Sequence, residues 1–289
     1  EQKGMKDYLG FKGKVCVVSG ARTGVGKAAA EILVDLGAKV YAAGRNRGEI
    51  EGIEKFVIMD LCSKESIDKA FKEFPEKIDC FIGCAGLFGD VNDFMSVTIT
   101  NFVSNKYIIQ EYLSKRIVDK GTIGFVTSNN GTHWEQERFR KECQATIEAE
   151  GWEGTIQQLI DSGLSQKTGM DGYNFSKRCM NNFLTRTAHD LSKRNVRVNY
   201  VLPGPIDTKM LHACMDNAGA PVESLLDSVL ENADHICAPE EVAAPLIAMC
   251  SNMMTYVTGA GIYTDFGLDS YIRLGLIEDR VAGQYEPLI

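Results

Sequence analysis

Seven short apolar runs, separated by stretches whose apolar residues recur with helical spacing, constrain this chain more than anything else in it. They are Val15 to Val18, Val40 to Ala43, Phe56 to Met59, Ile78 to Ile82, Thr122 to Val126, Val196 to Leu202 and Ala260 to Tyr263. Each is continuous rather than alternating, which suits strands covered on both faces. Strand and helix in regular succession predict an α/β domain with a parallel, doubly wound sheet of about seven strands. A chain of 289 residues, 44% of them hydrophobic, can bury a core of that size. Residues 14–289 are expected to form this single domain. Residues 1–13 are expected to be a leader, the first four open to reading as an expression remnant.

Two segments break the rhythm. One runs from about Gly131 to Gly169, polar, helix-prone and carrying Trp134 and Trp152; the other runs from Thr208 to Cys237, after Pro203-Gly204-Pro205. Both follow a strand, on the side where such sheets bind ligands, so both read as insertions that shape a pocket. For the first, surface decoration or an oligomer contact carries equal weight. The second brings together Met210, Leu211, Met215, Leu225, Leu226 and Val229, an adaptable apolar set suited to a lid over a large hydrophobic substrate.

Between the first run and the first helix lies Ser19-Gly20-Ala21-Arg22-Thr23-Gly24-Val25-Gly26. Glycines here allow a tight turn and close approach to a pyrophosphate, while the helix that follows presents free N–H groups and its positive dipole end. The strand-turn-helix setting makes this a Rossmann-type dinucleotide site. An acid at the tip of the second strand would bind a ribose 2'-hydroxyl and repel a 2'-phosphate. The tip here is Ala43-Gly44-Arg45, and Arg45 with Arg22 would neutralise such a phosphate. NADP(H) is therefore favoured, with NAD(H) possible, since Glu49 is close by.

A formal charge of -8 and a pI near 5.2, without a basic stripe, argue against nucleic-acid binding. No apolar run approaches the roughly 18 residues of a membrane span, and the chain starts without a signal-peptide core, so a cytoplasmic location is expected. The nine cysteines are scattered, lack a C-x-x-C pair and are expected to be reduced and buried. No metal site is expected, although Cys80 and Cys84 are close in sequence.

Tyr173 and Lys177 lie one helical turn apart on one face. A phenol is a poor base near neutrality unless a cation favours its phenolate, and Lys177 is placed to supply one. Spacing alone proves little, because Tyr8 and Lys12 repeat it in the leader. Ser128 closes the fifth run, where a hydroxyl could stabilise charge on a substrate oxygen, and Thr127 beside it is expected to face the sheet. His133 is expected to be structural.

The glycine turn, Gly83-Cys84-Ala85-Gly86 after the fourth run, Tyr173-x-x-x-Lys177, and Pro203-Gly204 after the sixth run together resemble the short-chain dehydrogenases/reductases across nearly the whole chain. The usual Asn-Asn-Ala-Gly is altered at Gly83 and Cys84. That Cys-Ala-Gly variant, with the long insertion before Tyr173, resembles bacterial 3α-hydroxysteroid dehydrogenase/carbonyl reductases. The resemblance implies an NAD(P)-dependent enzyme that reversibly oxidises a secondary alcohol, with a hydroxysteroid or bile-acid hydroxyl, 3α first, as the favoured substrate. Reduction of smaller ketones, quinones or xenobiotic carbonyls is the alternative, and a non-catalytic dinucleotide sensor is the alternative from another class. Tyr173 would exchange the proton, Lys177 would support it and hold the nicotinamide ribose, Ser128 would bind the substrate oxygen, and Asn101 would complete a proton relay. Asn105 is its nearest rival. Asp60, followed by Leu61, would bind adenine, while Cys84, Ala85 and Gly86 would line the cofactor site. Pro203, Gly204, Ile206 and Thr208 would hold the carboxamide. The resemblance also implies a homodimer or homotetramer.

Overall fold

The computed structural model describes residues 7–89, 92–228, 233–278 and 286–289. The chain runs β1 (Val15–Ser19), α1 (Gly24–Asp35), β2 (Lys39–Gly44), β3 (Lys55–Ile58), α2 (Lys64–Glu73) and β4 (Ile78–Gly83). A helical rod over 94–116, here α3, winds as a π-helix at Ile99–Val103 and Ile108–Leu113. It leads into β5 (Ile117–Val126), α4 (Glu137–Glu148), α5 (Gly151–Asp161), α6 (Gly169–Leu191) and β6 (Arg197–Pro203). Then follow α7 (Lys209–Ala218), α8 (Ser224–Ser228), α9 (Pro239–Cys250), β7 (Gly261–Thr264) and α10 (Leu268–Arg273).

All seven strands are parallel and lie in the order β3-β2-β1-β4-β5-β6-β7. The order reverses at β1 and β4, and the crevice at the carboxyl ends of these strands is where such sheets bind ligands. The apolar runs become the central strands because both faces are covered. Helices α1 and α9 pack on one face, with Phe11 of the expected leader buried among them. Helices α2, α3 and α6 fill the other. Strand β5 starts at Ile117, earlier than its apolar run, because a register shift between Ile78 and Cys80 carries the ladder past exposed Asp119 and Lys120. Gly83, where the chain departs from the family pattern, is explained by packing. A Cβ there would lie 2.1 Å from the ring of Phe125 on the neighbouring strand.

Helices α4 and α5 supply a correction. No residue from 131 to 169 lines the main cavity, so this insertion does not shape it as expected. Its apolar side chains Cys143, Ile147, Trp152 and Leu159 join the core that also contains Phe102, Phe183 and Leu184 of α3 and α6. The polarity that suggested a pocket belongs partly to a buried ion pair, Glu142 of α4 with Arg178 of α6, at 3.1 Å. Lys106 of α3 is also buried here, donating to Ala149 O and to Thr155 Oγ1.

The excursion from Thr208 is closed at its base by a bridge between Ile206 and Cys237 and by Asp207 N–H donating to Cys237 O. Thr208 caps α7, its hydroxyl accepting from Leu211 N. Helix α7 buries none of its residues. Of the apolar lid set, Met210 alone lines the cavity, Leu226 packs instead with Leu268 and Ile277, and Val229 lies outside the described residues.

Candidate active site

The glycine turn packs so tightly that side chains are excluded from it. A Cβ on Gly26 would sit 2.1 Å from Gly20 O, and one on Gly20 would sit 2.5 Å from Ala85 N. Gly20 and Gly24 also adopt φ of +70° and +57°, the left-handed region that glycine enters without penalty. The start of α1 is built to receive an anion: Thr23 at its N-cap makes no capping bond, and its first turn holds no acid. Above this turn opens a cavity of about 560 Å³.

The cavity collects nearly all the residues singled out from the sequence. Gly20, Arg22, Thr23, Gly24, Val25 and Gly26 form one wall, with Arg45, Asp60 and Leu61 beyond them. Cys84, Ala85 and Gly86 continue it from the end of β4, and Pro203, Gly204, Ile206 and Thr208 enter from the end of β6. Ser128, Tyr173 and Lys177 also line it. Asn46, Leu87, Thr100, Asp207, Lys209 and Pro239 line it as well, and nothing in the sequence singled them out. A dinucleotide would fit this lining: the uncapped helix start and the glycine cradle would receive its phosphates, with exposed Arg22 and Arg45 and with Asp60 further along the wall. One Asp60 oxygen accepts from Cys62 N at 2.9 Å, while the cap of α2 is Ser63 and not Asp60.

Asn101 is not on the cavity wall. Its side chain grips the backbone of Leu87, accepting from N–H at 2.8 Å and donating to O at 3.0 Å, and also donates to Ser176 Oγ. Its carbonyl accepts from Asn105 Nδ2 at 3.1 Å. Both asparagines are buried in the α3 rod, and Asn101 lies within the first π stretch.

Helix α6 starts in a capping box, Asp171 N–H donating to Thr168 Oγ1 and Thr168 N–H to the Asp171 carboxylate. Gly169 and Gly172 let this start approach α3: a Cβ on Gly172 would lie 3.0 Å from Phe94 O. Tyr173 and Lys177 thereby point into the cavity. Phe88 meets the Tyr173 ring edge-on at 4.8 Å, and Lys177 Nζ lies 5.3 Å from the ring centroid on its face. Burial pushes the Tyr173 phenol above its ordinary value, against a hydrogen bond with Ser128 that pulls it down. The lowering expected from Lys177 is not found: its ammonium lies over the ring face, and the direction is set by burial. Thr127 donates to Val201 O across the sheet, as its expected structural place requires.

Burial lowers Lys177 from 10.5 to about 8. A lysine whose folded value is depressed costs stability while it is protonated. That cost is complete below pH 8 and fades as pH rises toward the unfolded value of 10.5. The shift corresponds to about 3 kcal/mol. Lys177→Met is therefore expected to raise the melting temperature at neutral pH and to flatten the gain in stability on going alkaline. Thermal scans across pH check this; an unchanged or lowered melting temperature would contradict it.

The class of protein is now defined: a parallel α/β sheet with a dinucleotide cleft and a Ser-Tyr-Lys set at its side. A family model described as short chain dehydrogenase matches residues 14–138, and one described as Enoyl-(Acyl carrier protein) reductase matches residues 142–269. The chain belongs to the short-chain dehydrogenase/reductase family of oxidoreductases, whose members bind NAD(H) or NADP(H). It is similar to a coniferyl-alcohol dehydrogenase of Pseudomonas, 29% identical over 89% of this chain and 97% of that one. A 3-oxoacyl-(acyl-carrier-protein) reductase of Aquifex aeolicus is 26% identical over 89% and 98%. In fold it resembles the 3-alpha-hydroxysteroid dehydrogenase of Pseudomonas sp. B-0831 complexed with NADH. The TM-score is 0.72, with 21% identity over 90% of this chain and 98% of that one. Among the described residues no helix is long and apolar enough to cross a membrane, and no cluster could hold a metal.

Proposed function

We propose that this chain reversibly oxidises a hydrophobic secondary alcohol to a ketone with NADP(H), a hydroxysteroid or bile-acid hydroxyl, 3α first, being the favoured substrate. The observation that carries the reading is the convergence of Ser128, Tyr173 and Lys177 on one cavity with the glycine turn. A bound NADP(H) would supply the hydride acceptor or donor. Tyr173 moves the proton at the substrate oxygen, acting as acid in reduction and as base in oxidation. Ser128 donates to the same oxygen and stabilises its developing charge. Lys177, buried against the Tyr173 ring, places a cation beside the phenol and can hold the ribose. With the phenol held protonated, carbonyl reduction suits neutral pH, and alcohol oxidation gains as pH rises. Arg22 and Arg45, exposed at the cavity edge, favour a 2'-phosphate. A non-catalytic sensor would have no use for the intact trio.

A second reading, an aromatic alcohol, is favoured by the relative described as coniferyl-alcohol dehydrogenase and by Phe88 beside Tyr173. The test is reduced-cofactor absorbance, its rise with NADP+ and NAD+ against 3α, 3β, 7, 12, 17 and 20 hydroxysteroids and coniferyl alcohol, and its fall with NADPH and NADH against small carbonyls. Faster turnover of a 3α-hydroxysteroid with NADP+ is expected. Turnover confined to coniferyl alcohol or to small carbonyls would replace the steroid assignment.

A further inference from the structure

Ser128 does not face Tyr173 unaided. Its Oγ accepts from Asn130 N–H at 3.1 Å and donates to Asn130 Oδ1 at 3.3 Å, with Asn129 Oδ1 more distant at 3.5 Å. The Asn130 amide in turn donates through Nδ2 to Asn174 Oδ1 at 2.8 Å, and Asn174 directly follows Tyr173 on α6. One side chain therefore touches the serine hydroxyl and the helix turn that carries the tyrosine. The two groups come from different elements, the turn after β5 and the start of α6, and a 43-residue excursion with its own two helices separates Asn130 from Asn174. Nothing local in the chain would keep them in register. Behind the same loop, Asn181 Nδ2 donates to Gly131 O at 3.1 Å, which fixes its far end to α6.

We propose that Asn130 is a positioning residue for the reaction. It sets the rotor of the Ser128 hydroxyl and clamps that hydroxyl at hydrogen-bonding reach of Tyr173 through Asn174. The proposal rests on the reading of Tyr173 as the proton-transfer group. Its backbone N–H occupies one lone pair of Ser128 Oγ, so the hydroxyl hydrogen is left to turn between Asn130 Oδ1 and an oxygen in the cavity. Hydrogen bonds in such a chain polarise one another, and the N–H that Ser128 accepts strengthens the bond it donates. Tyr173 is faced by Lys177 from its own helix, Ser128 from the turn after β5, Phe88 from the loop after β4 and Cys214 from α7. None of these is a carboxylate, so a charge introduced at position 130 would be read directly in the titration of the phenol.

Asn130→Asp supplies that charge while keeping the size of the side chain. The carboxylate would hold the Ser128 hydrogen and oppose the phenolate. The pH of half-maximal kcat for oxidation is expected to rise by about one unit, with KM for NADP+ within about twofold of wild type. Asn130→Ala and Asn174→Ala should each lower kcat about tenfold. Because they break one linkage, the double variant should lose little more than the worse single. Melting temperature and NADPH fluorescence titration establish that each variant folds, and Asn174→Ala carries the test if position 130 does not tolerate change. An unmoved pH midpoint in Asn130→Asp, or losses that add in the double variant, would overturn the proposal. If wild type turns over no substrate, the dehydrogenase reading fails by itself. The Asn130 proposal is then decided by the ultraviolet titration of Tyr173, taken as wild type minus Tyr173→Phe, in which Asn130→Asp should still shift the phenol upward.

Discussion

Replacing Tyr173 with Phe is expected to lower kcat for alcohol oxidation by about 10²- to 10⁴-fold, the usual worth of a positioned acid or base, and to leave NADPH affinity within about twofold. The variant removes an oxygen and little else. The ring keeps its edge contact with Phe88 at 4.8 Å and its face toward Lys177 at 5.3 Å. The glycine cradle and the start of α1 lie on another wall of the cavity and are untouched. Initial rates with fluorescence titration of NADPH separate the two effects. Loss of rate with binding retained assigns Tyr173 to the chemistry; a rate within about tenfold of wild type would remove it from that role.

The second large effect lies away from the cavity. Glu142 and Arg178 have side chains 0% and 1% exposed, with contacts of 3.1 and 3.3 Å between them, and Arg178 also stacks on Phe139 at 4.5 Å. Leu288 N–H, near the end of the chain, donates to the same carboxylate at 2.6 Å. Glu142→Ala takes the anion away from a guanidinium that stays in the core, a change that costs about 3–5 kcal/mol. For a chain of this size the melting temperature should fall by on the order of 10 °C. Glu142→Leu with Arg178→Met should recover much of the loss, because an apolar pair of similar volume avoids burying either charge. Chemical denaturation of the three proteins tests this. A loss below about 1 kcal/mol in Glu142→Ala would show that the insertion is held by its apolar contacts alone.

The sheet was legible because a central parallel strand must be apolar on both faces, and that demand leaves a run in the sequence wherever such a strand occurs. β5 was the partial exception: its first residues include exposed Asp119 and Lys120 and join the ladder only through a register shift. The glycine-lined wall of the cavity was legible because its glycines answer to backbone distances that no other residue meets, as at Gly26 against Gly20 O. What escaped depended on contacts between distant segments. The insertion over 131–169 looked like a pocket wall because it is polar, whereas Glu142 spends its charge on Arg178 in the interior. The place of Asn101 behind Leu87, and the direction in which Tyr173 is shifted, follow from packing that the Tyr-x-x-x-Lys spacing does not encode. Asn130, two residues after Ser128, carried a faint signal of its own, since asparagine often bonds to neighbouring backbone in a turn. Its bond to Asn174 had none.

The central claim is that Tyr173 moves a proton while hydride passes between an alcohol carbon and the nicotinamide. The most direct measurement is mass spectrometry of the reduced cofactor after turnover of an alcohol deuterated at its carbinol carbon, with Tyr173→Phe run in parallel. The account predicts a single deuterium in the reduced cofactor made by either protein, formed about 10²- to 10⁴-fold more slowly by the variant. Reduced cofactor without deuterium, or labelled cofactor formed at equal rates by both proteins, would contradict it.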